Sequence, residues 1–255
     1  MNRIDKALQE GHKKILNIYF TAGYPELESS LPVLQLLQEN GAGMIEIGLP
    51  FSDPLADGPV IQESSRIALE NGMKTRLLFE QLKNMRQTVH LPVVLMGYLN
   101  PVLQFGMDRF LQKAAETGID GLILPDMPAE IYAARYQNLF DKYGIHAIFL
   151  ISPQTSDDRL HYLDSLSRGF LYAVSSSSTT GRTSSFSEEH LQYFDRLSHC
   201  QLRNPIMIGF GISDKEAVET VFAYVSGAII GSAFIRSLDN NKKDYGIPQF
   251  MNQFK

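Results

Sequence analysis

The chain has 255 residues, 44% of them hydrophobic and 20% charged, with a formal net charge of −5. That leaves room for a sizeable core in one large domain or two small ones, and its interspersed acids and bases argue against a nucleic-acid surface, which needs a dense basic patch. One cysteine, Cys200, excludes an intrachain disulfide and makes a reducing cytoplasm the simplest location, while the polar N-terminus and the lack of a long apolar run point away from a signal peptide or a membrane span.

Residues 2–10 read as a short amphipathic helix. The β-branched and aromatic run ILNIYFT (15–21) is a strand that ends in the turn AGYP. A helical period follows over 27–40, then a strand over 44–48, a helix over 61–70 stopped by Asn71-Gly72, and another helix over 76–88. The second half repeats the pattern, with strands expected at 92–98, 121–124, 145–151, 170–174, 205–208 and 227–230. Helices are expected between them at 106–116, 129–142, 156–166, 188–198 and 215–224, with Ser156 or Asp157 as an N-cap and a last helix over 245–254.

Eight strands separated by helices, most of them near-continuous apolar runs, indicate a parallel sheet covered on both faces. Eight such units in this length match a (β/α)8 TIM barrel. The competing reading, a doubly wound open sheet, calls for a glycine fingerprint at the first turn, and TAGYP does not supply one. No linker-like shift in composition splits the chain, so residues 1–255 are expected to form one α/β barrel domain with a short extra N-terminal helix.

In a barrel the chemistry lies at the C-terminal strand ends. The stretch MIEIGLPFSDPLADGPVIQ puts Glu46 inside an apolar strand, where a carboxylate is costly to bury without a partner or a purpose. Asp53 and Asp57 follow on a proline-rich loop able to fold back over the strand end, a pairing suited to acid–base work. Asp126, Tyr98 and Tyr172 complete the titratable groups in or near strand ends. No lysine occupies such an end, so Schiff-base chemistry is not expected, and no pair of histidines has metal-ligand spacing. Taken singly, Asp53 and Asp57 read first as turn residues and the tyrosines first as core. Glycines after the last three strands, in Thr180-Gly181, Gly209-Phe210-Gly211 and Gly231-Ser232, sit where barrels bind phosphate. The Ser/Thr run between 175 and 185 reads as a mobile loop able to act as a lid.

The segment IEIGLPFSDPLADGPVIQ resembles the signature of the tryptophan synthase α-subunit family, and FTAGYP, GYLNP, LPDMP, STTG, IGFGIS and GSAF also fall where that family has them. The resemblance covers essentially the whole chain. It implies a TIM barrel that cleaves indole-3-glycerol phosphate to indole and glyceraldehyde 3-phosphate without metal or cofactor. The partner it implies is a pyridoxal-phosphate β subunit, in an α2β2 assembly. By motif the catalytic pair is Glu46 and Asp57. Gly181, Phe210, Gly211, Gly231 and Ser232 fall at the phosphate site, and Tyr19, Met96, Ile123 and Tyr172 in the indole pocket. Asp53 and Thr180 belong to the loops that close over the site, and the partner is expected on the same side, around Asp53 and Asn100-Pro101. One departure is visible. Many members carry an arginine and a Gly-Val pair before Thr-Gly, whereas this chain has Ser176, Ser178 and Thr179, with Arg182 only later.

Overall fold

The computed structural model describes residues 1–9, 14–174 and 186–255. The strands β1 (Ile15–Thr21), β2 (Met44–Gly48), β3 (Val93–Met96), β4 (Gly121–Ile123), β5 (His146–Ile148), β6 (Leu150–Ile151), β7 (Leu171–Ala173), β8 (Ile206–Ile208) and β9 (Gly227–Ile230) lie in one sheet. Its order is β5-β4-β3-β2-β1-β9-β8-β7-β6, and every recorded pairing is parallel. The two ends of this sheet, β5 and β6, are halves of a single stave interrupted at Phe149. The first half pairs with β4 and the second with β7, so the sheet closes on itself as the expected eight-staved TIM barrel. The interruption is local. Phe149 donates its N–H to Ser167 Oγ at 3.4 Å while its carbonyl still accepts from Tyr172 N–H at 3.0 Å.

The helices are α1 (Arg3–Gln9), α2 (Ser30–Glu39), α3 (Pro59–Glu70), α4 (Thr75–Leu82), α5 (Leu99–Phe105), α6 (Met107–Thr117), α7 (Ala129–Ile131), α8 (Gln137–Tyr143), α9 (Asp157–Leu166), α10 (Glu188–His199), α11 (Lys215–Tyr224), α12 (Ser232–Ser237) and α13 (Ile247–Met251). Ser156 is the N-cap of α9, accepting from Arg159 N–H. The helix expected over 76–88 ends at Leu82 and resumes as a 3₁₀ turn over Met85–Gln87. Neither α5 nor α12 is visible as a periodic pattern, because each is barely two turns long. α5 joins α6 through Gly106, whose φ of +91° suits a residue without a side chain.

Strand parity sorts the core into two layers. Ile15, Met44, Val94, Ile123, Ile148, Phe170, Met207 and Ile229 fill the barrel interior, while alternate residues such as Ile45, Ile47, Leu122 and Ile208 pack outward under the helices. Ile4 of α1 is fully buried within the interior layer, so this helix stoppers the N-terminal end of the barrel. It is pinned there by Arg3–Asp120 (3.0 Å) and Asp5–His146 (2.8 Å), and Asp120 also meets Arg86 at 2.5 Å.

Candidate active site

Glu46 faces inward between Met44 and Gly48 on β2, in register with Tyr19 on β1. It is fully buried. Its Oε2 accepts from Asn17 Nδ2 at 3.2 Å, and its Oε1 has no hydrogen-bond partner. Burial pushes the carboxyl up to about 8; the Asn17 donor opposes the rise and the Asp57 charge adds to it.

Asp57 lies on the loop between β2 and α3, where Gly58 is the N-cap and Pro59 takes the first helical position. Its Oδ2 accepts from the Tyr98 hydroxyl at 3.1 Å, whose oxygen in turn accepts from Ala56 N–H at 3.0 Å. Phe51, on the same loop, packs on the Tyr98 ring with centroids 5.0 Å apart. Burial raises the Asp57 carboxyl to about 6, with the Tyr98 hydrogen bond pulling the other way. At neutral pH the pair therefore splits: Glu46 neutral, Asp57 ionised.

Two tyrosines complete the wall, and each needs a glycine opposite. A Cβ on Gly48 would stand 2.0 Å from the Tyr19 hydroxyl, and one on Gly209 would stand 2.3 Å from the Tyr172 hydroxyl. Both rings are buried, and both phenols are held well above their usual range, by burial first. The next contribution is the Asp57 charge for Tyr19 and the Glu46 charge for Tyr172. Tyr19, Leu49, Asp57, Met96, Tyr98 and Pro125 line a small cavity at the C-terminal mouth. A larger one, about 550 Å³, opens at the opposite end beside α1, away from both carboxyl groups.

Of the residues singled out by sequence, Glu46, Asp57, Tyr19, Met96 and Tyr172 thus come together at the mouth. Ile123 is one stave over from Met96, in register with it, and fully buried in the interior layer. After β8, Gly211 has φ +68°, and Phe210 stacks with His190 at 5.2 Å and Phe194 at 5.8 Å. Gly231 caps α12 and Ser232 opens it. A Cβ on Gly231 would lie 3.4 Å from the Tyr19 ring, which ties the two ends of the site together. Asp53 is exposed and accepts from Ser52 Oγ at 2.5 Å. Asp126 caps α5, both of its oxygens accepting from Leu99 N–H. Thr180, Gly181, Ser176, Ser178, Thr179 and Arg182 lie outside the described residues.

Asn17 and Gly48 are site residues that motif reading missed, and Gly209, read there only as a phosphate-loop glycine, also makes room for the Tyr172 ring. The signal for the first two was parity: Asn17 alternates with Tyr19, and Gly48 with Glu46. Among the described residues no group of three or more His, Cys, Asp or Glu side chains is arranged to hold a metal ion, and no helix is long and apolar enough to cross a membrane.

A closed parallel barrel with two carboxyl groups held in opposite protonation states at its mouth defines an acid–base enzyme of the TIM-barrel class. Comparison with known proteins makes this specific. The family model described as tryptophan synthase alpha chain matches residues 5–252. The chain is 58% identical over 241 residues to the tryptophan synthase alpha chain of Flavobacterium psychrophilum, covering 94% of this chain and 95% of that one. It is 48% identical over 242 residues to that of Bacteroides thetaiotaomicron, covering 95% and 94%. A crystal structure of the alpha chain from Legionella pneumophila superposes with a TM-score of 0.89 at 34% identity, covering 100% of this chain and 96% of the other. The chain belongs to the tryptophan synthase alpha chain family. It is accordingly a lyase of tryptophan biosynthesis that cleaves indole-3-glycerol phosphate, and an alpha chain implies a beta-subunit partner.

Proposed function

We propose that cleavage of indole-3-glycerol phosphate runs on Glu46 as general acid and Asp57 as ionised acceptor. The carrying observation is that Glu46 is fully buried, neutral at pH 7 and holds one oxygen without a partner, beside an Asp57 that is ionised. Glu46 delivers its proton to C3 of the indole ring, turning the ring into a leaving group. The resulting positive charge resides partly on the ring nitrogen, whose N–H Asp57 accepts. The C3–glycerol bond then breaks, its electrons return to the ring, and the neighbouring hydroxyl becomes the aldehyde as its proton passes to the now ionised Glu46. Indole and glyceraldehyde 3-phosphate result, with Glu46 neutral again.

Tyr19, Met96 and Tyr172 frame the ring, with Ile123 beneath. The phosphate rests on the turns at Gly211 and Gly231-Ser232, beside Phe210, with Gly181 completing the site. Support comes from the positions of those turns after β8 and β9 and from the Tyr19 ring lying where a Cβ on Gly231 would meet it at 3.4 Å. Asp53 and Thr180 belong to the loops that close over the substrate. Residues 1–255 act as one barrel domain in the cytoplasm, without a cofactor of their own. The beta partner carries pyridoxal phosphate and docks across the barrel mouth in an α2β2 assembly. The exposure of Leu55 (94%) on the Asp57 loop and of Leu103 (46%) on α5 supports that docking face.

The direct test is indole release from indole-3-glycerol phosphate by a Glu46→Gln variant. A loss of about 10²- to 10⁴-fold is expected for removal of a general acid; near-normal cleavage would end the assignment.

A further inference from the structure

Asn17 is the β1 side chain that hydrogen-bonds the acid. It is fully buried, its Nδ2 lies 3.2 Å from Glu46 Oε2, and its own Oδ1 has no partner. A buried amide left half-satisfied is costly, and an apolar residue in its place would pack without that penalty. The adjacent interior positions, Ile15 and Met44, are apolar. The amide therefore serves the carboxyl rather than the core.

We propose that Asn17 is a positioning residue for the cleavage: by donating to Oε2 it fixes the plane of the Glu46 carboxyl and assigns the transferable proton to Oε1. The chemistry is simple. In a neutral carboxylic acid the carbonyl-type oxygen is the better acceptor and the other oxygen carries the hydrogen. An N–H donor held on Oε2 marks that oxygen as the carbonyl, so the proton resides on Oε1, the oxygen without a protein partner. Without Asn17 the carboxyl is free to turn about its terminal torsion, which is broad and roughly two-fold, and to offer either oxygen. The same N–H favours the ionised form that exists between proton delivery and proton recovery.

This rests on Glu46 being the acid, and the experiment separates the two. Asn17→Leu and Asn17→Ser are compared with the native chain and with Glu46→Gln, each as the full chain, reading indole release from indole-3-glycerol phosphate across pH. Melting temperature is recorded in parallel. Both Asn17 variants are expected to lose about tenfold or more in kcat with KM changed little, and the alkaline limb of the kcat profile is expected to move up by about one unit. Asn17→Ser keeps a small polar side chain too short to reach Oε2, so it gives the readout if Asn17→Leu does not fold. Folded Asn17 variants with native kcat and an unmoved limb, alongside an inactive Glu46→Gln, overturn the role of Asn17 alone. An active Glu46→Gln overturns the acid assignment and this inference with it.

Discussion

The Tyr98 hydroxyl donates to Asp57 Oδ2 at 3.1 Å while accepting Ala56 N–H at 3.0 Å, so one phenol at the start of α5, two residues beyond β3, holds both the second carboxylate and the loop that carries it. Tyr98→Phe removes the donor that holds the Asp57 carboxyl down against burial. Asp57 then rises, and less of it is ionised near pH 7. The acidic limb of kcat/KM is expected to move up by about one unit, read by the pH dependence of indole release. An unmoved limb in a folded variant would show that Tyr98 only packs.

The native profile should be a bell. Asp57 must be ionised and Glu46 protonated, so kcat/KM rises through about 6 and falls through about 8. In Asp57→Asn the rising limb disappears, and the remaining activity is expected to be down by about 10²-fold or more. A flat profile from pH 5 to pH 9 in the native chain would be incompatible with this division of roles.

The same burial makes Glu46 a stability liability at alkaline pH. A carboxyl raised from its usual 4.5 to about 8 binds a proton in the folded chain that the unfolded chain has released. Native stability therefore declines as pH rises from roughly 4.5 toward 8, and the decline stops above that. Glu46→Gln removes the titration. Its melting temperature should exceed the native one by a margin that widens between pH 5 and pH 8, on the order of a few kcal/mol in stability. Calorimetry across that range is the check.

Gly48→Ala tests the cradle under Tyr19. The new methyl would stand 2.0 Å from the hydroxyl, 2.5 Å from Cζ and 2.9 Å from Cε2, so the ring must leave its place. A destabilisation of about 1–3 kcal/mol is expected by chemical denaturation, with reduced cleavage. Adding Tyr19→Phe removes only the nearest of these contacts, so rescue should be partial.

Ile4→Ala tests the stopper. The side chain is fully buried in the interior layer and far from the mouth, so a loss of about 2–5 kcal/mol is expected with kcat per folded molecule nearly unchanged. Denaturant titration and activity on the same preparation separate the two effects.

Much of this was legible beforehand. Period and spacing carried the eight staves, since parallel strands buried on both faces must be apolar throughout, and an acid such as Glu46 stands out in such a run. Loop position alone did not separate Asp57 from Asp53, and it was the family motif that picked Asp57 as the partner of Glu46; in the structure the Tyr98 hydroxyl, 41 positions away, distinguishes them. Asn17 went unnoticed because its meaning depends on a neighbouring stave. The break at Phe149 was equally invisible, since it turns on a hydroxyl at Ser167 and not on any feature of 145–151 itself.

The stopper at Ile4 carries a consequence for traffic. Beneath Glu46 the staves enclose Met44, Val94, Ile148, Phe170 and Met207, and Ile4 of α1 packs into the same layer. A tube corked at the bottom keeps its doorway at the top, on the side of Glu46 and Asp57. Whatever protein sits across that doorway controls the order of arrivals and departures, and can receive the aromatic fragment directly from the chamber that made it.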